Sequence, residues 1–438
     1  MQTPFETTGC GSASHFHRRT LLKAAGLSGM CWLTPLAERL ARAAEDAPRG
    51  ATAKSVIVLW LQGGPSQLET FDPHPGGATS GIKDIQTAAT EIRIANLYPR
   101  VAEQMASISL VRSVVSKEGD HERATYNVKT GFRPDPTLVH PALGAVLCHQ
   151  LTDKVEIPRH ISILPDQWSA RGGYLGDQFD AFRVPDPLYD IPDVTARVPD
   201  ARFQRRLINL QEVVETEFAR GRLQKLDERK TLHRSTIEFA RNMMSSEQLK
   251  AFSVKDAPKS LRDEFGDTEF GRGCLAATQL IKVGVRCVEV TLAGWDTHAK
   301  NFEGHETQAK ILDPAFAALI RRLREEQLLD HTIVLCGGEF GRTPRVNPLG
   351  GRDHWPHGFT IALAGGGIAG GRVIGATSSA PDVEAKDHLP DVTDPRNVAD
   401  IHATIFHALG IQFDKELLTP IGRPMKISEG RVIQELLT

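Results

Sequence analysis

The chain has 438 residues, 40% of them hydrophobic, with 52 Lys and Arg against 54 Asp and Glu. That length suits one large domain or two or three smaller ones, and the hydrophobic content supports a substantial core. A formal net charge of -2 gives no general affinity for polyanions. With no sustained basic stripe interleaved with aromatics, a nucleic-acid role is set aside.

The N-terminus stands apart from the fold. Arg18 and Arg19 are followed by Leu21, Leu22 and Lys23, then by a moderately apolar run over 24–36, and Ala41-Arg42-Ala43 fits a small-x-small cleavage site. This resembles a twin-arginine export signal cut before Ala44. Residues 1–43 are accordingly read as signal peptide and 44–438 as one domain delivered to the periplasm by the twin-arginine translocon. That route carries folded proteins, which suits one that acquires a metal before export. The alternative is an N-terminal membrane anchor, for which the apolar run is short, and no later stretch is long and apolar enough to span a bilayer. Cys148, Cys274, Cys287 and Cys336 remain after cleavage, at no metal-ribbon spacing, and read as small core residues.

Residues 55–61, SVIVLWL, form the first predicted buried strand, breaking into Gly63-Gly64-Pro65-Ser66. Glu69 and Asp72 follow. Two readings stand here equally: a first metal or anion loop, or a plain strand-to-helix connection with Ser66 as N-cap. A second strand is predicted at 108–115. Asp120 and His121 then enter a helix ending at Thr130-Gly131, where they either meet a metal or anion or, for Asp120, serve as N-cap. Residues 141–151 read as helix, 160–164 as strand and 165–200 as surface loop. From 201 to 252, Phe203, Leu207, Leu210, Val214 and Phe218 recur at spacings of three and four. The spacing predicts two long amphipathic helices, a helical insertion packing on the core.

Helix 269–283 leads to strand 285–292, then to Trp295-Asp296-Thr297-His298, with Asp296 and His298 on one side of an extended backbone. His305 is placed in the following loop. Helix 314–328 returns the chain to strand 332–336, making a right-handed crossover between parallel strands. Glu339 and Arg342 follow that strand, and a Gly-rich loop carries Asp353, His354 and His357 before a further buried strand at 359–364. Carboxyl ends of parallel strands share one rim, where open α/β sheets bind ligands. Asp296, His298, Glu339, Asp353 and His354 are therefore expected to converge on a divalent metal, with His121 as a further candidate. Arg342 is expected to hold an anion by a bidentate contact. Mixed imidazole and carboxylate ligands suit zinc, manganese or iron. In helix 398–410, His402 either points to the site or is polar surface, and the surface is favoured.

The stretches LWLQGGPSQLETFDPHP, DHERATYNVKTG, GWDTHAKNF, GEFGRTPRVN, GRDHWPHGF and GGGIAGGRVIGAT together resemble the domain-of-unknown-function family 1501, over almost all of the chain after residue 44. The resemblance implies an alkaline-phosphatase-like α/β fold, a three-layer αβα sandwich with a mixed, mainly parallel sheet and metals at the strand ends. It also implies relatedness to sulfatases and phosphomutases. The sulfatase pattern has a Cys or Ser nucleophile nine residues before a Thr-Gly pair. Here that position is His121. Either Ser66 or Ser116 supplies a nucleophile, or metal-activated water attacks directly, or the activity is lost. Two functions are carried forward. One is an exported metal-dependent hydrolase acting on a small anionic ester or a sulfated or phosphorylated polymer, with His121, Ser66 and Arg342 as catalytic candidates. The other is a non-catalytic exported binding or assembly protein.

Overall fold

In the computed structural model, residues 53–75, 82–151, 155–194, 198–221 and 232–438 are described. The signal read at 1–43 lies outside them. In chain order the main elements are β1 (Ser55–Gln62), β2 (Ile108–Val115), α1 (His121–Thr130), α2 (Leu143–Gln150), β3 (His160–Ile163) and β4 (Phe182–Val184). Next come α3 (Asp200–Gly221), α4 (Leu232–Ser245), α5 (Glu269–Lys282), β5 (Cys287–Ala293), α6 (Asn301–Glu325) and β6 (Thr332–Gly337). The two-residue strands β7 (Gly341–Arg342) and β8 (His354–Trp355) precede β9 (Phe359–Ala364), and β10 (Val373–Ile374), β11 (Arg396–Asn397) and α7 (Val398–Ala408) complete the set.

Nine strands form one sheet in the order β10-β2-β9-β6-β1-β5-β3-β4, with β11 also paired to β2. β1 runs parallel to both β5 and β6, and only β9 is reversed, pairing antiparallel with β6 and β2. The expected mixed, mainly parallel α/β sheet is thus present, with the strands predicted at 55–61, 285–292 and 332–336 side by side in it.

The β1 sequence shows why the sheet is covered on both faces. Every second residue turns to the opposite side. Ile57, Leu59 and Leu61 join the core beneath α5 and α6, while Val56, Val58 and Trp60 join the core beneath α2 and α7. A strand apolar at every position needs two apolar layers, which the helices supply. Cys148, Cys274, Cys287 and Cys336 are free and buried, as small core residues are.

Three local expectations are corrected. α6 begins at Asn301, so Pro314 lies inside it and His305 is helical and buried. The stripe Ala309, Leu312, Phe316 and Ile320 is continuous and fully buried, and this packing outweighs the local cost of an interior proline, about 3 kcal/mol. His402 is buried, its Nε2 donating to the Val128 carbonyl at 2.8 Å, rather than lying on the surface. In α3, Leu210 is 53% exposed, so the stripe read there does not pack along its whole length. Among the described residues no helix is long and apolar enough to cross a membrane.

Candidate metal centre

The loop after β1 turns at Gly63, whose φ is +116°, and a Cβ there would collide with the backbone of Trp295 and Asp296. Glycine therefore lets the loops after β1 and β5 touch, and the Trp295 N–H donates to the Gln62 carbonyl at 3.1 Å. Asp296 and His298 stand on this loop. β6 ends beside it and delivers Glu339. The β7–β8 ribbon pairs His354 with Arg342, bringing His354 to the same rim. His121 is the first residue of α1, whose N-cap is Asp120, the Asp120 Oδ1 accepting from Arg123 N at 3.2 Å.

The three histidines share one pattern. His121 Nδ1 lies 2.7 Å from Glu339 Oε1, His298 Nδ1 lies 2.8 Å from Asp353 Oδ1, and His354 Nδ1 lies 2.7 Å from the Gly119 carbonyl. Each acceptor calls for a proton on Nδ1, which leaves the lone pair on Nε2. Those Nε2 atoms surround Asp296. His298 Nε2 is 3.1 Å from Asp296 Oδ1, His354 Nε2 is 3.4 Å from the same oxygen, and His121 Nε2 is 3.4 Å from Asp296 Oδ2. The Nε2 atoms of His298 and His354 are 3.0 Å apart. Ligand atoms of His121, Asp296 and His354 all lie within 4.8 Å of one another.

This set consists of acceptors facing acceptors, and His121 Nε2 is buried with no hydrogen-bond partner. Lone pairs gathered in this way are costly unless a cation joins them. Three imidazoles and a carboxylate are an ordinary donor set for a divalent transition metal, so the residues fit one. Glu339, Asp353 and Gly119 occupy the outer positions that orient such imidazoles.

The carboxylates around His121 favour positive charge at this point. The hydrogen bond to Glu339 is the main reason that the His121 imidazole is raised above its usual range. Burial lowers His354. Burial alone would raise the Asp296 carboxyl, but the hydrogen bond and charge of Arg342, with His121 and His298, together carry it below the usual value. The hydrogen bond from His298 holds Asp353 low and ionised.

The expected ligands and catalytic groups fall into different places. Asp296, His298 and His354 come together, and His121 joins them. Asp353 and Glu339, expected as direct ligands, stand behind imidazoles on their Nδ1 sides, while Glu339 Oε2 is buried without a partner. Arg342 is corrected outright. Its side chain has no exposure, and its guanidinium donates to the carbonyls of Gly64 (2.8 Å), Arg352 (3.0 Å) and Gly63 and to Asp296 Oδ1 (2.6 Å). A fork spent in this way cannot clamp a substrate anion. Ser66 is likewise completely buried, with its backbone N–H on His305 Nε2 at 2.9 Å, so its hydroxyl cannot meet a substrate in this fold. Glu69 pairs with Arg352 at 2.8 Å, both side chains fully buried, and Asp72 pairs with Arg112 at 3.3 Å. These partners give Glu69 and Asp72 structural roles, but no helix begins at Ser66, so it is not the N-cap that the alternative reading expected.

Two aromatic neighbours escaped the sequence reading. The Phe340 ring centroid lies 5.0 Å from that of His121 and 4.4 Å from that of His354, and the Trp168 ring stacks on His121 at 6.3 Å. Trp168 belongs to a stretch read as surface loop. Its only signal was a large aromatic in a Pro-, Asp- and Gly-rich segment. Lys129 holds it in place, its Nζ donating to the Trp168 carbonyl at 3.0 Å while pairing with Glu289 at 3.0 Å.

The model of the family described as "Protein of unknown function (DUF1501)" matches residues 53–437, and the chain belongs to that family. No curated protein matches it. Three solved structures similar to it share low identity. A protein in the alkaline phosphatase superfamily from Vibrio parahaemolyticus is 12% identical, with a TM-score of 0.40 over 90% of this chain and 72% of that one. The PsFucS1 sulfatase from Pseudoalteromonas sp. is 11% identical, with a TM-score of 0.39 over 86% and 72%. The lipoteichoic acid synthase LtaP from Listeria monocytogenes is 10% identical, with a TM-score of 0.37 over 84% and 74%.

Proposed function

We propose that this chain is a metal-dependent hydrolase of phosphate or sulfate esters that is exported to the periplasm. The observation that carries the proposal is the convergence of three imidazole Nε2 atoms on the Asp296 carboxylate, each with its Nδ1 held by an acceptor. His121, Asp296, His298 and His354 would hold zinc, manganese or iron. A divalent ion bound there lowers the pKa of a coordinated water and offsets charge on the transferring group. The protein's own part is orientation. Asp353, Glu339 and the Gly119 carbonyl hold the imidazoles in the binding tautomer, and Arg342 holds Asp296 from behind. Phe340 packs beside His121 and His354, and Trp168 stacks on His121.

Ser66 and Arg342 play no part in substrate contact under this proposal, because both are buried. That same burial favours a second reading, an exported binding or assembly protein that uses the centre without catalysis. One experiment separates them. Purified protein is analysed for metal, stripped with chelator, reloaded with zinc, manganese or iron(II), and assayed on aryl phosphate and aryl sulfate. Ester cleavage that disappears on stripping and returns on loading supports the hydrolase. Stoichiometric metal without cleavage of either ester supports the binding protein, and no metal uptake defeats both. Export is tested by replacing Arg18 and Arg19 with Lys. The precursor should stay in the cytoplasm, and normal periplasmic delivery would contradict the twin-arginine route.

A further inference from the structure

A cleft of about 830 Å³ opens beside the metal centre, and no residue of the imidazole cluster lines it. The wall between them is built from residues 116–119 on one side and 354–357 on the other. Ser116 N–H donates to the Pro356 carbonyl at 2.8 Å, and His354 Nδ1 bonds the Gly119 carbonyl at 2.7 Å. His354 belongs to the centre while His357 lines the cleft. The volume falls within the range of small-molecule sites, roughly 300–1,000 Å³.

The charges lining this cleft are not equivalent. Among the described residues, Lys117 and Lys386 have no acidic partner at ion-pair distance, and Arg423 senses the Asp135 charge without an ion-pair contact. The aspartates in the lining are turned toward amides. Asp135 accepts from Thr137 N at 2.7 Å, Asp387 from Leu389 N at 3.1 Å, and Asp400 from Asn397 N at 2.8 Å and Arg431 N at 2.7 Å. The N–H dipoles offset part of their charge. Arg133 is engaged by Glu118 at 2.5 Å. Of the acids in the lining, Glu429 alone is not engaged in this way.

The cleft also has flat apolar surface. The Phe132 ring stacks on His140 with centroids 4.1 Å apart and planes 8° from parallel. His357 and His388 lie 4.4 Å apart, both against Trp355. Leu389 at the rim is 56% exposed. Rings of this kind offer area to a planar or cyclic body, and free cations offer charge-assisted hydrogen bonds to its acidic group.

We infer that this cleft binds a small organic anion, a ring-bearing molecule with one acidic group, at a site separate from the metal centre. The ring would lie against Phe132, which His140 backs, and against His357 and His388, and the acidic group would face Lys117, Lys386 and Arg423. The inference does not rest on the metal reading, and either can fail alone.

The test uses the full protein and the fluorescent probe 8-anilinonaphthalene-1-sulfonate, titrated at moderate salt. One saturable site is expected. Lys386→Glu and Arg423→Glu should each weaken it at least fivefold, and the double variant more. Melting temperature and metal content, measured alongside, should be unchanged, so that a folding defect is not mistaken for lost binding. In competition, 1-naphthoate and 1-naphthalenesulfonate should displace the probe, and their relative strength distinguishes a carboxylate from a sulfonate preference. The neutral 1-naphthalenemethanol should not displace it. Unsaturable binding, an unchanged affinity in a folded double variant, or equal displacement by the neutral alcohol would overturn the inference.

Discussion

Arg342 and Asp296 are joined by a 2.6 Å ion pair in which the guanidinium side has no solvent exposure and the carboxylate side is 48% exposed. The arginine is anchored in the protein and presents the aspartate outward. Because the carboxylate is half in water, the pair itself contributes little. The larger contribution comes from the buried carbonyls of Gly63, Gly64 and Arg352 that the fork satisfies.

Arg342→Lys keeps the charge and loses the fork. At least one of those carbonyls should be left without a donor, at a cost of about 1–3 kcal/mol each. Urea denaturation should show the variant less stable by roughly 2 kcal/mol or more. Wild-type stability in Arg342→Lys would show that the planar fork is not needed.

The metal reading separates inner from outer residues. His298→Ala and His354→Ala should abolish tight metal binding. Asp353→Asn and Glu339→Gln, which act through imidazoles, should weaken it by about 10–100-fold. Zinc titration against a chromophoric chelator measures both effects. Equal losses in all four variants would place Asp353 and Glu339 on the ion itself.

Gly351 packs on the His298 backbone so closely that an added Cβ would overlap the carbonyl group of His298. Gly351→Ala should push His298 off its position and lower metal affinity at least tenfold while leaving the sheet intact. Circular dichroism together with metal titration would reveal this, and unaltered affinity would show that the loop after β5 yields easily.

His305 and His402 are buried, and burial pushes each imidazole down to about 4. The unfolded chain titrates near 6.5 and therefore takes up protons first as pH falls. Stability from these residues is present in full above about 6.5 and declines as pH drops from there toward 4, by roughly 3 kcal/mol for each histidine at most. His402→Asn should flatten that decline. Urea midpoints at pH 7 and pH 5, compared with wild type, check it, and identical pH slopes would mean that His402 does not contribute.

The buried strands were legible because their apolar runs are continuous. SVIVLWL in β1 and the runs in β6 and β9 need cover on both faces, and only the interior of a sheet gives that. β4, β10 and β11 escaped notice, since three or two residues leave no periodicity to read. The meeting of Asp296, His298 and His354 at one rim was legible from their position after or between core strands. What was not legible is which atom faces which. Glu339 and Arg342 both follow β6, yet one supports His121 and the other is buried beneath Asp296. Chain position says that a side chain reaches the rim, and it does not say whether the rim is lined by that side chain or built upon it. Ser66 failed for the same reason, since a polar residue after a strand is as often enclosed as presented.

The contact between Gly119 and His354 joins residues 235 apart in sequence. A nascent chain therefore has no centre until most of its length has been synthesised and β8 has docked against the loop before α1. Ion uptake at this site would thus be among the last events of maturation, and a fragment ending before residue 354 would carry only two of the three imidazoles. Bound metal would mark a molecule whose assembly is finished, and its release under mild chelation would precede any loss of the sheet.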